Sequence, residues 1–350
     1  MSQTVQDPVV VGVDGSTSAT QAVLWAAREA GRRGAALVLV HVWTPIPVAP
    51  LHVGSLVPYH DALVEQGGLW LREASAAARE VAPDVVISTQ LVSGSAAGRL
   101  IDRSASAGLL VLGSRGLGGF AGLVVGSIAV ALATHGHCPV VVVRGADPDT
   151  VPRQDGPVVV GVDGSPNSRA ALDFAFEAAA LRGAPLTAVH AWSDLPVVTV
   201  WELTTDWHLV QQNESEALSQ WLAEGRAHHP DVPVEEVVVR DGPAHVLLEH
   251  TRTAQLVVVG SRGRGGFRGL LLGSTSQAMI QHAACPVAVV PRCRRCELGT
   301  TSICLGGARS RSPVVLANAK VVRWIRSPFT RSRQSCSRLW PIRSESGCWR

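Results

Sequence analysis

The chain carries the same sequence pattern twice, and this duplication limits its fold more than any other feature. Residues 9–16 (VVVGVDGS) return at 158–165, 149 residues later, and residues 111–116 (VLGSRG) return with one change at 258–263, 147 residues later. Repeats that stack into solenoids have periods of about 20–50 residues, whereas each copy here is long enough to be a domain. We therefore predict domains at 1–144 and 157–292, joined by a linker at 145–156 that is rich in Asp, Pro and Gly.

Short apolar runs alternate with segments of helical periodicity within each copy. In the first copy we predict strands at 9–13, 37–42, 85–91, 109–112 and 140–143. Helices are predicted from Ser16 or Thr17 to Gly34, at 61–81 and 96–107, and from a cap at Ser127 to about residue 134. This order is typical of an α/β fold, here two tandem Rossmann-like domains, each a five-stranded parallel sheet flanked by helices.

The last apolar run of each copy is a candidate edge strand. These runs lie at 140–143 and 287–290. Because an exposed edge readily pairs with another strand, we expect the two runs to pair across a pseudo-twofold axis and form an intramolecular pseudo-dimer. A further homodimer of two chains stays open.

Lysine is almost missing, since Lys320 is the one lysine among 350 residues. A P-loop NTPase needs a lysine after its glycines and a protein kinase needs one on a strand, so both classes are excluded for the repeated region. Residues 293–350 contain 12 Lys and Arg against 2 Asp and Glu, which leaves 19 basic and 26 acidic residues in 1–292. The repeated region is thus mildly acidic, and we expect no nucleic acid as its partner.

Cysteine usage and hydropathy indicate the compartment. Cys138 and Cys285 are the two cysteines of the repeated region, too few for a disulfide framework, and they are expected to be packing residues in a reducing environment. The first residues lack a secretory signal, and the apolar stretch near 121–134 is shorter than the ~20 residues that span a membrane. We expect a cytoplasmic protein with no membrane partner.

A glycine-rich loop follows the fourth predicted strand of each copy. Its glycines and the serine after them recur at matching positions: Gly113, Gly116, Gly126 and Ser127, then Gly260, Gly263, Gly273 and Ser274. Peptide N–H groups of such a loop and of the following helix start favour a phosphate, and Arg115 and Arg262 add a charge at equivalent places. A flexible turn is the alternative for one such loop, but the duplicated spacing favours an anion site.

A dinucleotide fingerprint is a competing interpretation of the same loop. Residues 116–121 fit the loose pattern G-x-G-x-x-A. The second copy has Arg268 at the last position, and no acidic residue follows about 20 residues later in the way that NAD-binding domains require. We therefore discount NAD.

Polar residues end the first two predicted strands. Asp14 and Asp163 have two interpretations, a contact with a ribose hydroxyl or a phosphate-bound Mg²⁺, or the capping of an Asp-Gly-Ser turn, and their position favours the first. A histidine at a strand end is more often a packed residue than a catalyst, and we interpret His41 and His190 in this way.

Backbone groups at the end of the second strand are candidate ligands for a base. The free N–H and C=O at Val42 and Ala191 are placed to pair with an adenine edge. No nucleophile with an orienting base is evident, so no catalytic residue is predicted. No His, Cys or Asp grouping recurs with the spacing of metal ligands, so no metal site in the protein itself is predicted.

The loop pattern G-x2-G-x9-G-S, the first strand VGVDGS and the second strand VHV together resemble the ATP-binding branch of the universal stress protein family, in its tandem-domain form, over about residues 7–144 and 157–291. The resemblance implies one ATP per domain, with or without Mg²⁺, held without a P-loop. It implies these ligand-binding residues: Gly12, Val13, Asp14, Val42, Gly113, Gly116, Gly126, Ser127 and Ile128 in the first copy, and Gly161, Val162, Asp163, Ala191, Gly260, Gly263, Gly273, Ser274 and Thr275 in the second.

The resemblance also implies a stress-response regulator that acts on a protein partner, and ATP hydrolysis, if any, would be slow. A slow ATPase or adenylyl-transferring enzyme is the alternative, because α/β folds that cleave ATP between its α and β phosphates share this topology.

The tail at 293–350 departs from the family pattern. It is rich in Ser and Arg and contains five cysteines and three tryptophans without periodicity. Cys293 and Cys296 have the spacing of half a zinc site, but no second pair follows. A basic tail that binds nucleic acid or an anionic membrane is one interpretation. We favour another, a disordered tail without evolved function that arose from a shifted reading frame.

Overall fold

The computed structural model describes residues 6–45, 57–117, 125–145, 151–192, 207–264 and 271–291. The first copy contains β1 (Val9–Gly12), α1 (Thr17–Arg33), β2 (Leu37–Trp43), α2 (Val57–Val81), β3 (Ile87–Ser93), α3 (Ala96–Ser104), β4 (Leu109–Gly113), α4 (Ser127–His135) and β5 (Val140–Val143). The second contains β6 (Val158–Gly161), α5 (Pro166–Arg182), β7 (Leu186–Ala191), α6 (Trp207–His228), β8 (Val234–Val239), α7 (Pro243–His250), β9 (Leu256–Gly260), α8 (Ser274–His282) and β10 (Val287–Val290). The predictions for the tail lie outside the described residues.

The strands of both copies form one continuous sheet in the order β3-β2-β1-β4-β5-β10-β9-β6-β7-β8. Every neighbouring pair within a copy is parallel. The predicted α/β fold with parallel, helix-flanked sheets is therefore confirmed. At the centre β5 and β10 run antiparallel, with Val287 opposite Val142 and Val289 opposite Val140. The two apolar runs expected at the edges thus lie against each other and join the copies.

Alternate residues of each strand face two separate helical layers. Val9 and Val11 pack in a core with α1, α2, α5 and α6, whereas Val10 packs in a second core with α3, α4, α7 and α8. This two-sided burial explains why the strands are continuous runs of Val and Leu instead of alternating patterns. It also leaves the ends of the strands as the place where polar loops gather.

Capping residues fix the ends of the two long helices that follow β1 and β6. Ser16 accepts a hydrogen bond from the Ala19 N–H at 3.1 Å, and Ser165 accepts one from the Ser168 N–H at 3.2 Å. Both helices end at a glycine in the left-handed region, Gly34 with φ 62° and its counterpart with φ 58°. Ser16 is therefore the cap, and Thr17 is the first helical residue.

Several predicted boundaries differ from the structure. β3 covers Ile87–Ser93 instead of 85–91, because a turn in which the Val85 N–H bonds to the Ala82 carbonyl delays the strand. Its partner β2 continues to Trp43, opposite Ser93. α2 starts at Val57, four residues earlier than predicted, and α3 ends at Ser104, three residues earlier.

The cap of α4 also differs. Ser127 is the predicted cap, but Gly126 is the cap and Ser127 is the first helical residue.

Candidate functional site

Each half of the sheet reverses its strand order between β1 and β4, or between β6 and β9. β1 pairs with β2 on one side and β4 on the other, and β6 pairs with β7 and β9 in the same way. In open α/β sheets, ligands bind outside the carboxyl ends of the strands at this point. Asp14 and Gly113 follow or end these strands in the first domain, as Asp163 and Gly260 do in the second.

The carboxylate of Asp14 ties the end of β1 to the glycine-rich loop. One oxygen accepts hydrogen bonds from the N–H and the hydroxyl of Ser16, at 3.0 and 2.7 Å, and the other accepts the N–H of Leu117 at 3.0 Å. Capping of the Asp-Gly-Ser turn, the alternative considered for this residue, is thus present. The bond to Leu117 adds a second task, because it holds the loop against the strand end.

Asp163 makes the equivalent contacts in the second domain. It accepts the N–H of Ser165 at 2.9 Å and the N–H of Arg264 at 2.8 Å. Burial by itself would raise the pKa of Asp163, but hydrogen bonds from Ser165, the Arg264 backbone and Ser168 outweigh it, and the pKa is lowered. The carboxylate is therefore stabilised in its charged form.

Packing explains some of the predicted site glycines. A Cβ on Gly116 would lie 2.5 Å from an oxygen of Asp14, and one on Gly263 would lie 2.6 Å from Asp163. A Cβ on Gly113 would come within 2.7 Å of the Ser18 backbone, because α1 crosses the end of β4. These glycines are required by close approach whether or not a ligand is bound.

The remaining glycines of the first strands and of the second loop follow the same rule. A Cβ on Gly12 would lie 2.6 Å from a Leu112 methyl, and one on Gly161 would lie 2.9 Å from a Leu247 methyl. A Cβ on Gly260 would lie 2.9 Å from the backbone of Asn167. Val13 and Val162 are buried beside them.

Gly126 and Gly273 stand apart, because among the described residues neither packing nor backbone strain requires a glycine there. A Cβ would lie at ordinary van der Waals distance from the described loop backbone, 3.7 Å at Gly126 and 3.4 Å at Gly273, and their φ angles are −70° and −68°. Each is the N-cap of a nine-residue helix, and no described side chain accepts a capping hydrogen bond from that helix. The first N–H groups of both helices therefore lack a side-chain acceptor at the positive end of the helix dipole.

The first turns of α4 and α8 carry the other predicted phosphate contacts. Ser127 and Ser274 are exposed, and Ile128 is 37% exposed although it is apolar. Thr275 takes the place of Ile128 in the second domain and is partly buried. The structure thus brings these predicted residues to the same open edge as Gly126 and Gly273.

The two loop arginines behave differently. The Arg115 backbone is held by α1, because its N–H donates to the Ser18 hydroxyl at 3.2 Å. The Arg115 side chain is exposed. The Arg262 side chain instead donates to the carbonyl of Leu271 at 3.2 Å, within its own loop. The middle of both loops, residues 118–124 and 265–270, lies outside the described residues.

The strand-end histidines are packed, as predicted. The Nδ1 of His41 lies 2.7 Å from the Val13 carbonyl, and His190 makes the same contact with Val162 at 2.8 Å. His190 also meets Glu214 at 2.9 Å through Nε2. Both rings are buried, so they hold the end of one strand against the next.

Val42 and Ala191 lie past the end of the neighbouring central strand. β1 pairs with β2 only as far as Val40, and β6 pairs with β7 only as far as Val189. Their other neighbours, β3 and β8, continue alongside. On the side of the central strand, the predicted adenine-binding positions therefore face the same crevice as Asp14 and Asp163.

Trp70 and Trp221 are site neighbours that the sequence reasoning missed. Each packs edge-on against the strand-end histidine at 5.2 Å. A Cβ on Gly15 would overlap the Trp70 indole, and one on Gly164 would overlap Trp221. The two tryptophans lie 151 residues apart, on α2 and α6. An alignment of the two copies that included the helices would have shown that they are equivalent.

Chemistry other than binding has little support among the described residues. No group of three or more His, Cys, Asp or Glu is placed to hold a metal ion in the part of the chain described here. Burial raises the pKa of the Cys138 and Cys285 thiols to about 12, so neither is a nucleophile at neutral pH. No helix within the described ranges is long and apolar enough to cross a membrane.

Comparison with known proteins identifies the class to which this fold and site belong. The sequence model of the universal stress protein family matches residues 7–144 and 156–291, so the chain belongs to that family. The chain is 38% identical over 288 residues to universal stress protein Rv2623 of Mycobacterium tuberculosis, covering 80% of this chain and 95% of that one. It is 39% identical over 291 residues to Rv2005c of the same organism, covering 81% and 97%.

A solved structure supports the fold. A universal stress protein from Archaeoglobus fulgidus superposes with a TM-score of 0.60 at 19% identity, over 82% of this chain and 99% of that one. At this identity the likeness concerns the fold alone.

Proposed function

We propose that each domain binds one ATP, with or without Mg²⁺, and that the protein is a nucleotide-dependent regulator of a cytoplasmic stress response. The observation that carries this proposal is the pair of glycines at Gly126 and Gly273. Among the described residues, neither is required by close packing or by its φ angle, and each begins a helix whose N-terminus lies beside the crevice at the strand-order reversal. A ligand with a phosphate group accounts for a glycine in that place.

The surrounding residues suit the parts of ATP. N–H groups of Ser127 and Ile128, and of Ser274 and Thr275, would bind the phosphates. The backbone of Val42 and of Ala191 would bind the adenine. Asp14 already accepts three hydrogen bonds, so it suits a frame for the loop better than a direct ligand of Mg²⁺. Any Mg²⁺ would arrive on the triphosphate with its waters.

The regulatory role rests on coupling between ligand and surface. Leu117 is bonded to Asp14 and is 60% exposed, so it lies where the site meets the protein surface. Bound ATP would lie beside Leu117 and form with it a surface for a protein partner. Anything that binds only the folded state at ~100 times its Kd also stabilises that state by about 2.7 kcal/mol.

Calorimetric titration of the full chain with ATP tests the proposal. We expect two sites in the wild type, one site in Gly126→Val and in Gly273→Val, and none in the double variant, because the added side chain would occupy the space beside the helix N-terminus that the phosphate needs. Gly242→Val is the matched control, since Gly242 is the N-cap of α7 with φ −67° and nothing within 4 Å of an added Cβ. If the two single variants and the double variant bind as many ATP molecules as the wild type, the assignment is contradicted.

The enzymatic alternative is separated by single-turnover assays with labelled ATP. Release of phosphate or transfer of AMP at about 1 s⁻¹ or faster would favour an ATPase or adenylyl-transferring enzyme. Nucleotide that stays intact on the protein for minutes would favour the regulator.

A further inference from the structure

The helices α1 and α5 are equivalent by the 149-residue offset, yet their facing charges are not the same. Four equivalent pairs lie at the junction of the domains: Trp25 and Phe174, Arg28 and Glu177, Glu29 and Ala178, Arg33 and Arg182. The two arginines are retained on both sides of the junction. The acidic residue at position 177 is replaced by an arginine at position 28.

On one side of the junction the arginine meets a carboxylate from each domain, and its buried Nη2 has no hydrogen-bond partner among the described residues. Arg33 donates to Glu177 at 3.0 Å, lies 5.1 Å above the Phe174 ring and bonds to Glu29 at 2.7 Å. This side shows what the fold does with a carboxylate at position 177. It forms an ion pair across the two domains.

On the other side the equivalent carboxylate is missing. Arg182 lies 5.7 Å from the Trp25 ring, bonds to Glu29 at 2.6 Å and donates to the Ala178 carbonyl at 3.0 Å, but Arg28 stands where a matching carboxylate would be. The cleft between α1, α5 and the linker is lined by four guanidinium groups, those of Arg28, Arg32, Arg153 and Arg182. Two further lining residues, Trp25 and Gln255, are largely buried.

Among the described residues, two acids face the four guanidinium groups of the cleft, and both are already paired. Glu29 is fully buried and is already shared between Arg33 and Arg182, with Arg32 at 3.7 Å. Asp155 pairs with Arg153 at 3.1 Å on the surface. No ion pair among the described residues involves Arg28, and burial together with the charge of Arg32 lowers its pKa.

We propose that this cleft binds a small dianion, a phosphate group, which takes the place of the carboxylate that Glu177 supplies on the opposite side. The cleft is partly open and has about 10 Å³ of space for a water-sized group, so an oxygen atom of the anion would enter it and the rest would face the solvent. Arginine forks match the oxygens of a phosphate. The site is separate from the two crevices at the strand ends and does not depend on the proposed function.

Thermal unfolding of the full chain tests the cleft. Inorganic phosphate is titrated at constant ionic strength held with chloride, and glycerol 3-phosphate is a second probe that shows whether a larger phosphate monoester is accepted. We expect a saturable rise in Tm of at least about 3 °C in the wild type. In Arg28→Glu the built-in carboxylate should raise Tm without phosphate and remove the response. Arg28→Gln should weaken the response without that gain.

Two results would overturn the proposal. One is a phosphate response that persists in Arg28→Glu. The other is a response that persists in Arg28→Gln but disappears in the double variant Gly126→Val with Gly273→Val, because the anion would then bind at the strand-end crevices. A response to phosphate in that double variant, absent in Arg28→Glu, supports the cleft even where ATP binding itself fails.

Discussion

At the scale of single residues, the site is held in place by carboxylates and glycines that mostly contact the protein itself. Asp14 and Asp163 each bond to a loop N–H one hundred residues away in sequence. Gly116 and Gly263 are small because these carboxylates lie against them. Gly126 and Gly273 do not contact these carboxylates, and each precedes the first turn of a helix. The residues that organise the site and the residues that face a ligand are therefore largely different.

The lowered pKa of Asp163 gives a pH-dependent contribution to stability. A carboxyl whose pKa is lower in the folded state stabilises the fold above its unfolded pKa of about 3.9, and this contribution disappears as the pH falls through the folded value. Asp163→Asn should lower the free energy of unfolding by about 1–2 kcal/mol at pH 7, because hydrogen bonds to a charged group are lost. The figure is moderate because Asp163 is partly exposed.

Urea unfolding of both proteins from pH 7 to pH 3 measures this effect. The difference in the free energy of unfolding should be largest at pH 7. It should begin to shrink below about pH 4, where the unfolded chain binds a proton at Asp163 while the folded carboxyl is still charged. A difference that stays constant over this range would mean that the substitution acts through shape instead of charge.

The sequence predicts the residues of this site better than it predicts their tasks. The caps Ser16 and Gly34 and the recurring loop glycines are visible because they depend on local chemistry. Some glycines are needed for packing because α1 crosses β4 closely. The distance between these two elements is set by the tertiary structure, and the spacing of glycines in the sequence does not predict it. The shift of β3 has a similar cause, because its start is set by a turn at Ala82 and by its pairing with β2.

At the scale of elements, α1 links the helix cap to the loop. The Ser16 hydroxyl accepts the Ala19 N–H and donates to Asp14 at 2.7 Å, and Ser18 accepts the N–H of Arg115. The start of one helix thus supports the carboxylate that holds Leu117 of the glycine-rich loop. α5 repeats the cap with Ser165, and Asn167 takes the place of Ser18 by donating to the Arg262 carbonyl at 3.0 Å.

Removing one cap should therefore have two effects. Ser16→Ala should lower the free energy of unfolding by about 1 kcal/mol, because a helix N–H loses its acceptor. It should also weaken ATP binding in the first domain only, since Asp14 loses its hydroxyl donor. Calorimetric titration should resolve one weakened and one unchanged site. Thr20→Ala is the control on the exposed side of the same turn, and equal weakening in both proteins would contradict the link.

At the scale of the whole molecule, the two domains share a sheet and one buried ion cluster. β5 and β10 are buried along their whole length, and Glu29 lies nearby with no exposed surface, bound by Arg33 and Arg182. Burial would raise the pKa of Glu29, but the charges of Arg182 and Arg33 outweigh it, and the pKa is lowered. The acid comes from one domain only, because Ala178 is the equivalent residue in the other.

This one-sided arrangement favours the pairing of unlike domains. Two first domains facing each other would bring two Glu29 carboxylates together and would place Arg28 where Arg33 now meets Glu177. Two second domains would bury two copies of Arg182 without that carboxylate. The cluster therefore matches the first domain to the second.

Moving the carboxylate across the pseudo-twofold axis tests the cluster. Glu29→Ala should cost about 3–5 kcal/mol in the free energy of unfolding, because it leaves the buried Arg182 without its carboxylate and Arg33 with Glu177 alone. Adding Ala178→Glu to that variant places a carboxylate at the equivalent point, within reach of the same two arginines, and should recover at least half of the loss. Glu29→Ala with Ala178→Gln has nearly the same shape without the charge. If urea unfolding finds these two double variants equally stable, the arginines do not depend on a shared carboxylate, and the pairing of the domains rests on the sheet alone.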